Sequence, residues 1–546
     1  MVKSALENGS KLLFQTQNTI ISAASVLAVT YALGAVLGLV RSRLLAHYFG
    51  ASDQLGIFYT ADRIPGFIYS LLVVGTLSTV FIPVFAHMLK ENALSAWRTA
   101  SSIIMASLGI FLVAGFLGFI FSPQIITAIS VGRFTGDQVQ LGSNLMRIML
   151  FAQLILILSS FFTSILQSFK YFLIPALAPV FYNVGMIVGI VLFVPALGIY
   201  AVAVGGIIGA FMHLLIQIPV MIKVKPNFTF APDFADKGLR EILMLVPPRI
   251  LSTAVAQVFA IVNTSLAILV STSSVVVYKF ADQLQTFPVY LFGASIALAA
   301  LPTLSGESGT NDKEQFRKTF LTSFHQMMFF VLPASILLLV LKLPAVRLVY
   351  GATNFPWDAT LQTSYTLAFF SISIFAQAAI LLLSRAFYAL RNTVIPVVAS
   401  VTGLLFEIVI AIVFIKVLGL GVWSIALAFS LGTVLDMCLL LFFLYRRIDG
   451  FTFDNLFRPF LKIGVATLLM GLSLYIPMKL LDAYVLDTTR TIYLLVLVFV
   501  VSVFGLVSYL LFTKMLRVKE IELLYKLVRK LNITMPAQAA SPELNN

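Results

Sequence analysis

The sequence predicts an all-α polytopic membrane protein of about 14 transmembrane helices, in two parallel six-helix lobes plus two C-terminal helices. Three observations predict this fold. First, 60% of the 546 residues are hydrophobic and only 11% are charged, whereas a soluble domain is roughly 25% charged. Second, apolar segments of about 20 residues, enough to span hydrocarbon, recur along the chain. Third, short motifs recur at a nearly constant distance in two halves of the chain.

Hydropathy places the spans in two sets of six and one pair. The first set is predicted at 21–48, 56–86, 99–121, 142–168, 173–195 and 199–222. The second set is predicted at 243–270, 275–304, 320–342, 362–389, 393–416 and 420–445. The last pair is predicted at 460–480 and 490–513.

The basic residues predict the orientation of these spans. The net charge is +14, and Lys and Arg collect in cytoplasmic loops of membrane proteins. With the N-terminus inside, the inner loops hold most of the basic residues, among them Lys90, Arg98, Lys170, Lys223, Arg446 and Arg447. The outer loops hold few, with Arg133 and Arg347 as clear cases. We therefore expect both termini in the cytoplasm and assign the positive charge to topology, not to nucleic-acid binding.

A polar connector divides the predicted lobes. It covers 225–241, and it separates an N-lobe at 1–224 from a C-lobe at 242–447. Residues 448–513 carry the last two spans. The tail at 514–546 alternates leucines with Lys and Arg, which predicts an amphipathic helix on the inner membrane surface followed by a disordered end. A solvated helix is the alternative for the tail.

The two lobes share a repeat at an offset of 219 to 221 residues. The matched positions are Ala61-Asp62 with Ala281-Asp282, Pro83 with Pro302, Pro175 with Pro396, and Gly198 with Gly419. Six helices is an even number, so both lobes enter the membrane from the same side. Such parallel repeats are typical of transporters whose site lies near the membrane midplane, where the repeats meet.

Charged residues within the spans are the strongest functional signal, because charge in hydrocarbon is costly and usually faces a cavity. The predicted set is Arg41, Arg43, Asp62, Arg63, Arg249, Lys279 and Asp282. Cations outnumber anions, which favours an anionic substrate group such as a phosphate or diphosphate. The alternative is local pairing of Asp62 with Arg63 or Arg43 and of Asp282 with Lys279, with Arg249 reaching the interface.

Other polar residues supply weaker candidates. Asn183 follows two prolines in its span and is predicted to line the cavity. Glu407 and Asp436 are candidate sites for a coupling ion or proton. The segment Gly205-Gly206-x-x-Gly209 indicates close helix packing rather than phosphate binding. The four histidines are scattered and Cys438 is the single cysteine, so no metal site and no catalytic constellation is predicted.

Several motifs resemble one family. They are Val36-Leu37-Gly38-Leu39-Val40-Arg41 with Tyr48-Phe49-Gly50, Ile64-Pro65, Phe81-Ile82-Pro83, Ala178-Pro179 with Asn183, Ala281-Asp282 with Phe287-Pro288, and Arg385-Ala386-Phe387-Tyr388-Ala389. In this order, over roughly 25–450, the chain resembles the MurJ/MviN lipid II flippases of the multidrug/oligosaccharidyl-lipid/polysaccharide exporter superfamily.

The resemblance implies a central cationic cavity and alternating access that moves a lipid-linked peptidoglycan precursor outward. It implies a groove for the lipid tail at the last two helices. It also implies the bacterial cytoplasmic membrane as location, a lipid-linked glycan and membrane lipids as partners, and a monomer. No cofactor is expected, and Na⁺, H⁺ or the membrane potential would supply the energy.

The chain departs from the family pattern at charged positions. Family arginines fall at Ala35, Tyr69 and Gln283, a family acidic residue falls at Thr286, and a family aspartate falls at Asn392. Gln283 therefore enters the predicted cavity without charge, and Asn392 weakens an inherited sodium site. We hypothesise that Arg43, Arg63 and Lys279 compensate for the missing arginines.

Two other classes of function stay open at this point. A cation or drug exporter of the same superfamily would need carboxylates poised for H⁺ or Na⁺, for which Glu407 and Asp436 are the candidates. A non-transporting membrane scaffold would explain the missing arginines directly.

Overall fold

A computed structural model describes residues 20–73, 80–229, 247–309, 312–448, 450–488 and 490–522, and every regular element among them is a helix. Elements α1 to α10 are Ile20–Phe49, Asp53–Ala61, Arg63–Leu72, Ile82–Glu91, Ala93–Ile120, Ser122–Ile129, Gly136–Ser168, Leu173–Leu197, Tyr200–Leu215 and Ile218–Lys223.

Elements α11 to α21 are Pro247–Val270, Ser274–Pro288, Ser295–Gly309, Lys313–Val340, Lys342–Tyr350, Trp357–Ser371, Ile374–Ala389, Val394–Ile412, Trp423–Arg447, Phe453–Leu480 and Thr491–Met515. Three π-helical segments, Val289–Ala294, Val413–Val417 and Leu481–Val485, continue α12, α18 and α20.

The predicted all-α membrane fold is confirmed. In the described part of the chain, 11 helices are long and apolar enough to cross a membrane, or 12 if α16 and α17, bent by 45° at their junction, form one span. The predicted number of about 14 spans is roughly consistent with this number, although the described residues contain no more than 12. One reason is that the segment predicted as a single span at 56–86 is interrupted, since it contains α2, α3 and the start of α4.

A buried glutamine explains the break between α9 and α10. The backbone N–H of Gln217 turns to Leu214 O, 3.0 Å away, so the carbonyl of His213 lacks its usual helical donor. The Gln217 side chain supplies that donor, at 3.0 Å from His213 O, and also contacts Ser159 Oγ at 2.8 Å. His213 lies 2.6 Å from Ser159 Oγ in the same buried cluster. These polar groups therefore satisfy one another inside the bundle.

Glycines bring α8 and α9 into close contact. A Cβ atom on Gly189 would lie 2.3 Å from the Cα atom of Gly205, and one on Gly185 would lie 2.5 Å from the Cα atom of Gly209. Larger side chains would push the two helices apart. The prediction that this glycine-rich segment serves helix packing is confirmed.

The chain folds into two compact units, each discontinuous in sequence. The first unit comprises 1–281, 349–366 and 404–428, and the second comprises 282–348, 367–403 and 429–546. The predicted division into lobes at 225–241 stays a prediction, because residues 230–246 lie outside the described ranges. The predicted tail helix and disordered end also fall mostly outside them, since the description ends at residue 522.

Each unit has an aromatic core. In the first unit, the rings of Phe81 and Phe85 stack at 5.2 Å, and Phe85 meets the edge of Trp97 at 5.6 Å. In the second, Tyr509 of α21 donates a hydrogen bond of 2.7 Å to Phe329 O of α14. These contacts pack the helices of each unit against one another.

Candidate functional site

The site begins at the break between α2 and α3, where Asp62 lies. Pro65 in the first turn of α3 has no backbone N–H and its ring would clash with the carbonyl of Ala61, so one continuous helix is disfavoured here. The Asp62 side chain makes no capping hydrogen bond to α3. Many protein atoms lie around Asp62, but they leave the residue exposed, so its surface is accessible to solvent. Asp62 therefore faces open space deep within the protein.

Three cations of the first unit surround this carboxylate. Arg63, Lys279 and Arg41 all lie close enough to Asp62 to act on it electrostatically. No cationic nitrogen of a described residue lies within 4.0 Å of the Asp62 carboxylate. The alternative of a close Asp62 pair with Arg63 or Arg43 is thus not what the structure adopts. Three positive charges and one negative charge leave this cluster with a formal charge of +2.

Two tyrosines lie next to the charged cluster. Tyr59 of α2 lies within electrostatic range of Arg41, Asp62 and Arg63, and Tyr182 of α8 lies within range of Arg41 and Asp62. Tyr59 precedes Asp62 by three residues, the spacing that puts two side chains on one helix face. That spacing is the signal that could have identified Tyr59 from sequence.

Arg63 is held in place by a hydrogen bond to α11. Its Nε donates a hydrogen bond to Thr264 Oγ1 at 2.6 Å. The Thr264 hydroxyl in turn donates to Ala260 O at 2.8 Å. About two α-helical turns away, seven residues later in α3 and seven residues earlier in α11, Gln257 Nε2 donates to Ser70 Oγ at 3.1 Å. These bonds connect the helix that carries Arg63 to α11. Sequence reasoning missed Thr264, because its partner lies 201 residues away.

Arg43 lies apart from the cluster. It is two residues from Arg41 on α1, which turns it by about 200° around the helix axis. Arg43 lines a cavity of about 440 Å³ together with His47, neighbouring apolar residues of α1 and the loop at 351–353. It is not among the cations that act on Asp62. The hypothesis that it replaces a lost cluster arginine has no support in this geometry and stays a prediction.

The structure gives few contacts for Asn183 and describes only the backbone of Arg249. Asn183 donates from Nδ2 to Pro179 O at 3.0 Å, and its Oδ1 is buried without a hydrogen-bond partner among the described residues. Arg249 belongs to the first turn of α11, and its side chain lies outside the described part of the structure.

The boundary between the two units falls within the second copy of the repeated motif, and Asp282 is the first residue of the second unit. Asp282 of α12 accepts a hydrogen bond of 3.1 Å from Gln285 Nε2, and Gln283 beside it is half-buried. Gln285 Oε1 in turn accepts from Gln377 Nε2 of α17 at 2.7 Å, and Gln377 also reaches Ser373 Oγ at 3.2 Å. The two amide dipoles lie in series and point their positive ends toward Asp282.

The network continues to a third helix, since Ser373 Oγ lies 2.9 Å from Ser430 Oγ of α19. Sequence reasoning missed Gln285 and Gln377. Both are polar residues within a span, and that was the available signal. Hydropathy does not indicate that two residues 92 positions apart form a hydrogen bond.

Two deeply buried carboxylates lie elsewhere. Glu407 is 1% exposed, and its Oε1 has no hydrogen-bond partner among the described residues. Its neighbour is Asn263, which has an unpartnered Oδ1 of its own. Asp436 accepts from Ser400 Oγ at 2.9 Å through Oδ2, while its Oδ1 lacks a partner in the described residues.

Asn392, the third residue considered for ion coupling, has a structural task. Its Oδ1 accepts hydrogen bonds from the backbone N–H groups of Val394 and Ile395, at 3.1 and 3.0 Å. It therefore caps the start of α18. Within the described ranges, no group of three or more His, Cys, Asp or Glu side chains is placed to hold a metal ion.

A many-span helical fold with a charged cluster at a broken span is that of a membrane transporter. Solved structures share this fold. One is the lipid II flippase MurJ in an inward closed conformation, with a TM-score of 0.73, 24% identity and coverage of 90% of this chain and 98% of that one. Another is an inward-facing multidrug resistance MATE family transporter of the MOP superfamily, with a TM-score of 0.64, 15% identity and coverage of 78% and 98%.

The family itself follows from sequence. The model of the lipid II flippase MurJ family matches residues 45–495. A probable lipid II flippase MurJ from Buchnera aphidicola is 29% identical over 464 residues, covering 83% of this chain and 89% of the relative. The lipid II flippase MurJ of Burkholderia cenocepacia is 27% identical over 452 residues, covering 81% and 87%. The chain belongs to the lipid II flippase MurJ family, and the resemblance noted in the sequence is confirmed.

Proposed function

We propose that this protein is a flippase that moves lipid II, or a similar polyprenyl-diphosphate-linked peptidoglycan precursor, from the inner to the outer leaflet. The observation that carries the proposal is the cluster around Asp62, which has a formal charge of +2 and faces open space in a membrane-spanning fold. Charge is costly in such a place, and a diphosphate would bring negative charge to a cluster in which three cations face one carboxylate.

Arg41, Arg63 and Lys279 have separate roles in this proposal. The guanidinium groups of Arg41 and Arg63 bind phosphate oxygens through planar pairs of N–H donors, while Lys279 contributes a compact charge. Thr264 holds Arg63 by its Nε and leaves the terminal nitrogens for the substrate. Asp62 offsets part of the repulsion among the three cations without pairing closely with any of them. The diphosphate then enters between cations that are already positioned, at little cost of reorganisation.

Alternating access would expose this cluster to one side of the membrane at a time. In the first unit the closed contacts lie beside the end of α1, where the loop at 351–355 covers Gly50. Orientation by basic residues puts this end outside, with both termini in the cytoplasm of a bacterial inner membrane. The proposal includes a monomer that releases the precursor when this end opens.

The energy source is proposed to be a cation or the membrane potential. Glu407 and Asp436 are the groups that would bind H⁺ or Na⁺, because each keeps a buried oxygen without a partner in the described structure. Asn392 is less suited to this role, since its side-chain oxygen already caps α18. Asp282 and Gln283 stay predicted substrate-binding residues of the second unit, where no arginine follows the aspartate.

Complementation in a bacterium depleted of its own lipid II flippase tests the proposal. The wild-type chain should restore growth, and a variant with Arg41→Gln, Arg63→Gln and Lys279→Gln should not. A matched control with Lys90→Gln, Arg98→Gln and Arg133→Gln removes the same charge at exposed positions and should still complement. Growth of the cluster variant at the wild-type rate would refute a role for this cluster in transport.

The same strains separate the alternatives. A cation or drug exporter would fail to complement and would lose export when Glu407→Gln and Asp436→Asn are introduced. A scaffold would fail to complement and would show no transport of either kind. Membrane insertion is checked in every strain by protein level in the membrane fraction, so that a failure to insert is not mistaken for a loss of function.

A further inference from the structure

An apolar groove lies between α5 and α7 of the first unit, away from the charged cluster. It encloses about 470 Å³. Its walls include Phe111, Phe116 and Phe119 of α5 and Leu150, Phe151 and Leu154 of α7. Gly115 deepens the groove, since a Cβ atom there would meet only the ring of Phe111, at 3.4 Å. Several of the wall residues are among the most exposed apolar side chains, including Phe116 at 65% and Phe151 at 57%.

A cation lies at one end of this groove. Arg147 of α7 lies with its guanidinium 5.0 Å from the centre of the Phe119 ring, which is part of the groove wall. Its Nε donates at 3.1 Å to Phe119 O in the last turn of α5, an oxygen that also accepts from Ser122 Oγ at 3.0 Å. Its Nη1 reaches Asn144 Oδ1 at 3.5 Å. Its Nη2 donates to no described residue, so at least the two N–H groups of that atom are available to a ligand.

The groove and the cation match the two parts of a phospholipid. Phe111 and Phe119 are eight residues apart on one helix, so the groove is about 12 Å long. One leaflet of hydrocarbon is about 15 Å deep, half of a bilayer core. Arg147 lies level with the last turn of α5, where that helix leaves the hydrocarbon. An acyl chain in the groove would therefore run from the headgroup level toward the bilayer centre, with its phosphate beside Arg147.

We infer that this groove binds an anionic phospholipid of the leaflet in which α5 ends. The acyl chain fills the space between the phenylalanines of the two helices, and the phosphate accepts hydrogen bonds from Nη2 of Arg147. A zwitterionic lipid carries a cation of its own, which Arg147 would repel. The site therefore selects by charge, and it is separate from the cluster at Asp62.

The test compares lipid binding by the full-length protein in nonionic detergent, using native mass spectrometry. The probes are dioleoyl phosphatidylglycerol and dioleoyl phosphatidylcholine, which share acyl chains but differ in net charge. Four variants are compared with the wild type. Arg147→Gln removes the charge, Gly115→Leu fills the groove, and Arg133→Gln removes an exposed charge that does not line the groove. Arg147→Lys is the conservative variant that keeps a cation.

We expect the wild type to bind phosphatidylglycerol about tenfold more tightly than phosphatidylcholine, a difference of about 1.4 kcal/mol. Arg147→Gln should abolish the preference, Gly115→Leu should weaken both lipids, and Arg147→Lys and Arg133→Gln should keep the preference. Equal binding of the two lipids by the wild type would overturn the inference, as would a full preference in Arg147→Gln. Displacement of phosphatidylglycerol by soluble glycerol 3-phosphate would assign Arg147 to a free phosphate ester and likewise overturn the lipid site.

Discussion

Asp62 shows how one residue can set the affinity of a cationic site. It is the single carboxylate of the cluster formed with Arg41, Arg63 and Lys279, and it lies where two helices meet because Pro65 interrupts the chain's hydrogen bonding. Its charge lowers the attraction of the cluster for an anion, which weakens binding and favours release. A transporter needs both steps, since a ligand held equally tightly in every state is not carried.

We predict that Asp62→Asn raises the cluster charge from +2 to +3 and slows transport. The precursor should bind about tenfold more tightly, because a nearby unit charge is worth on the order of 1 to 4 kcal/mol in this setting, while turnover should fall. Binding by native mass spectrometry and flipping in proteoliposomes measure the two effects. Weaker binding in this variant would contradict the role given to Asp62.

Thr264 gives a second prediction at the scale of a residue. Thr264→Val keeps the shape but removes the acceptor for Arg63 Nε, and hydrogen bonds to charged groups contribute about 1.5 to 3 kcal/mol. Precursor affinity should fall about tenfold, because Arg63 loses its fixed direction. Thr264→Ser keeps the hydroxyl and should retain wild-type affinity. Equal losses in both variants would mean that packing, not the hydrogen bond, matters at this position.

The helices themselves were largely predictable. Long apolar segments such as α5, α7 and α21 appear in the sequence within a few residues of their observed bounds, because hydrocarbon thickness dictates their length. The interruptions were not predictable from hydropathy. The break between α9 and α10 depends on a glutamine side chain that replaces a backbone donor, and that exchange needs Ser159 from another helix to be satisfied.

Polar networks between helices are the part of the site that sequence conceals most. Asn392 looked like a member of an ion site through its place in a motif, and its oxygen serves as a helix cap. Gln377 belongs to none of the motifs found in the sequence. In the structure it donates to Gln285, which in turn donates to Asp282. Residue type predicts that such groups need partners, but only the packed helices determine which ones.

We predict that Gln377→Leu destabilises the second unit. It leaves Gln285 Oε1 without its donor and removes one of the donors to Ser373 Oγ, and a buried polar group without a partner costs about 1 to 3 kcal/mol. The midpoint of thermal unfolding in detergent should fall by several degrees. Gln362→Leu is the matched control, because Gln362 is bonded only to exposed Asp358 on the same helix. A loss of stability of the same size in the control would remove the network as the cause.

At the scale of the molecule, close contacts of the main chain lie beside the end of α1. Gly56 of α2 packs against the backbone of Thr272, where an added Cβ would lie 2.2 Å from the carbonyl oxygen. Gly50, with a φ of +59°, packs against the carbonyl of Asn354. A Cβ atom added to Gly50 would lie 2.0 Å from that carbonyl oxygen. Asn354 also donates from Nδ2 to His47 O at 2.7 Å. At Gly50 and Gly56 the contact is therefore between main chains, and the Asn354 side chain adds a hydrogen bond beside Gly50.

We predict that Gly56→Ala shifts the population toward a state open at this end. The methyl group cannot fit the closed contact, and a few kcal/mol are enough to reverse a two-state equilibrium. Reaction of a thiol placed at Tyr59→Cys, in a Cys438→Ser background, with a membrane-impermeant maleimide should become faster. Gly66→Ala, where a Cβ would meet nothing within 4 Å, should leave the reaction rate unchanged.

The backbone contact at Gly50 and Gly56 has a consequence for the membrane itself. A protein that holds a charged headgroup in the bilayer risks letting small ions follow the same route, which would discharge the cell. Two carbonyl oxygens packed against glycines leave no space for a hydrated ion at these points, and a glycine has no side chain that could rotate away. The missing side chains of these two glycines, which make the contact so tight, would therefore also make it electrically insulating.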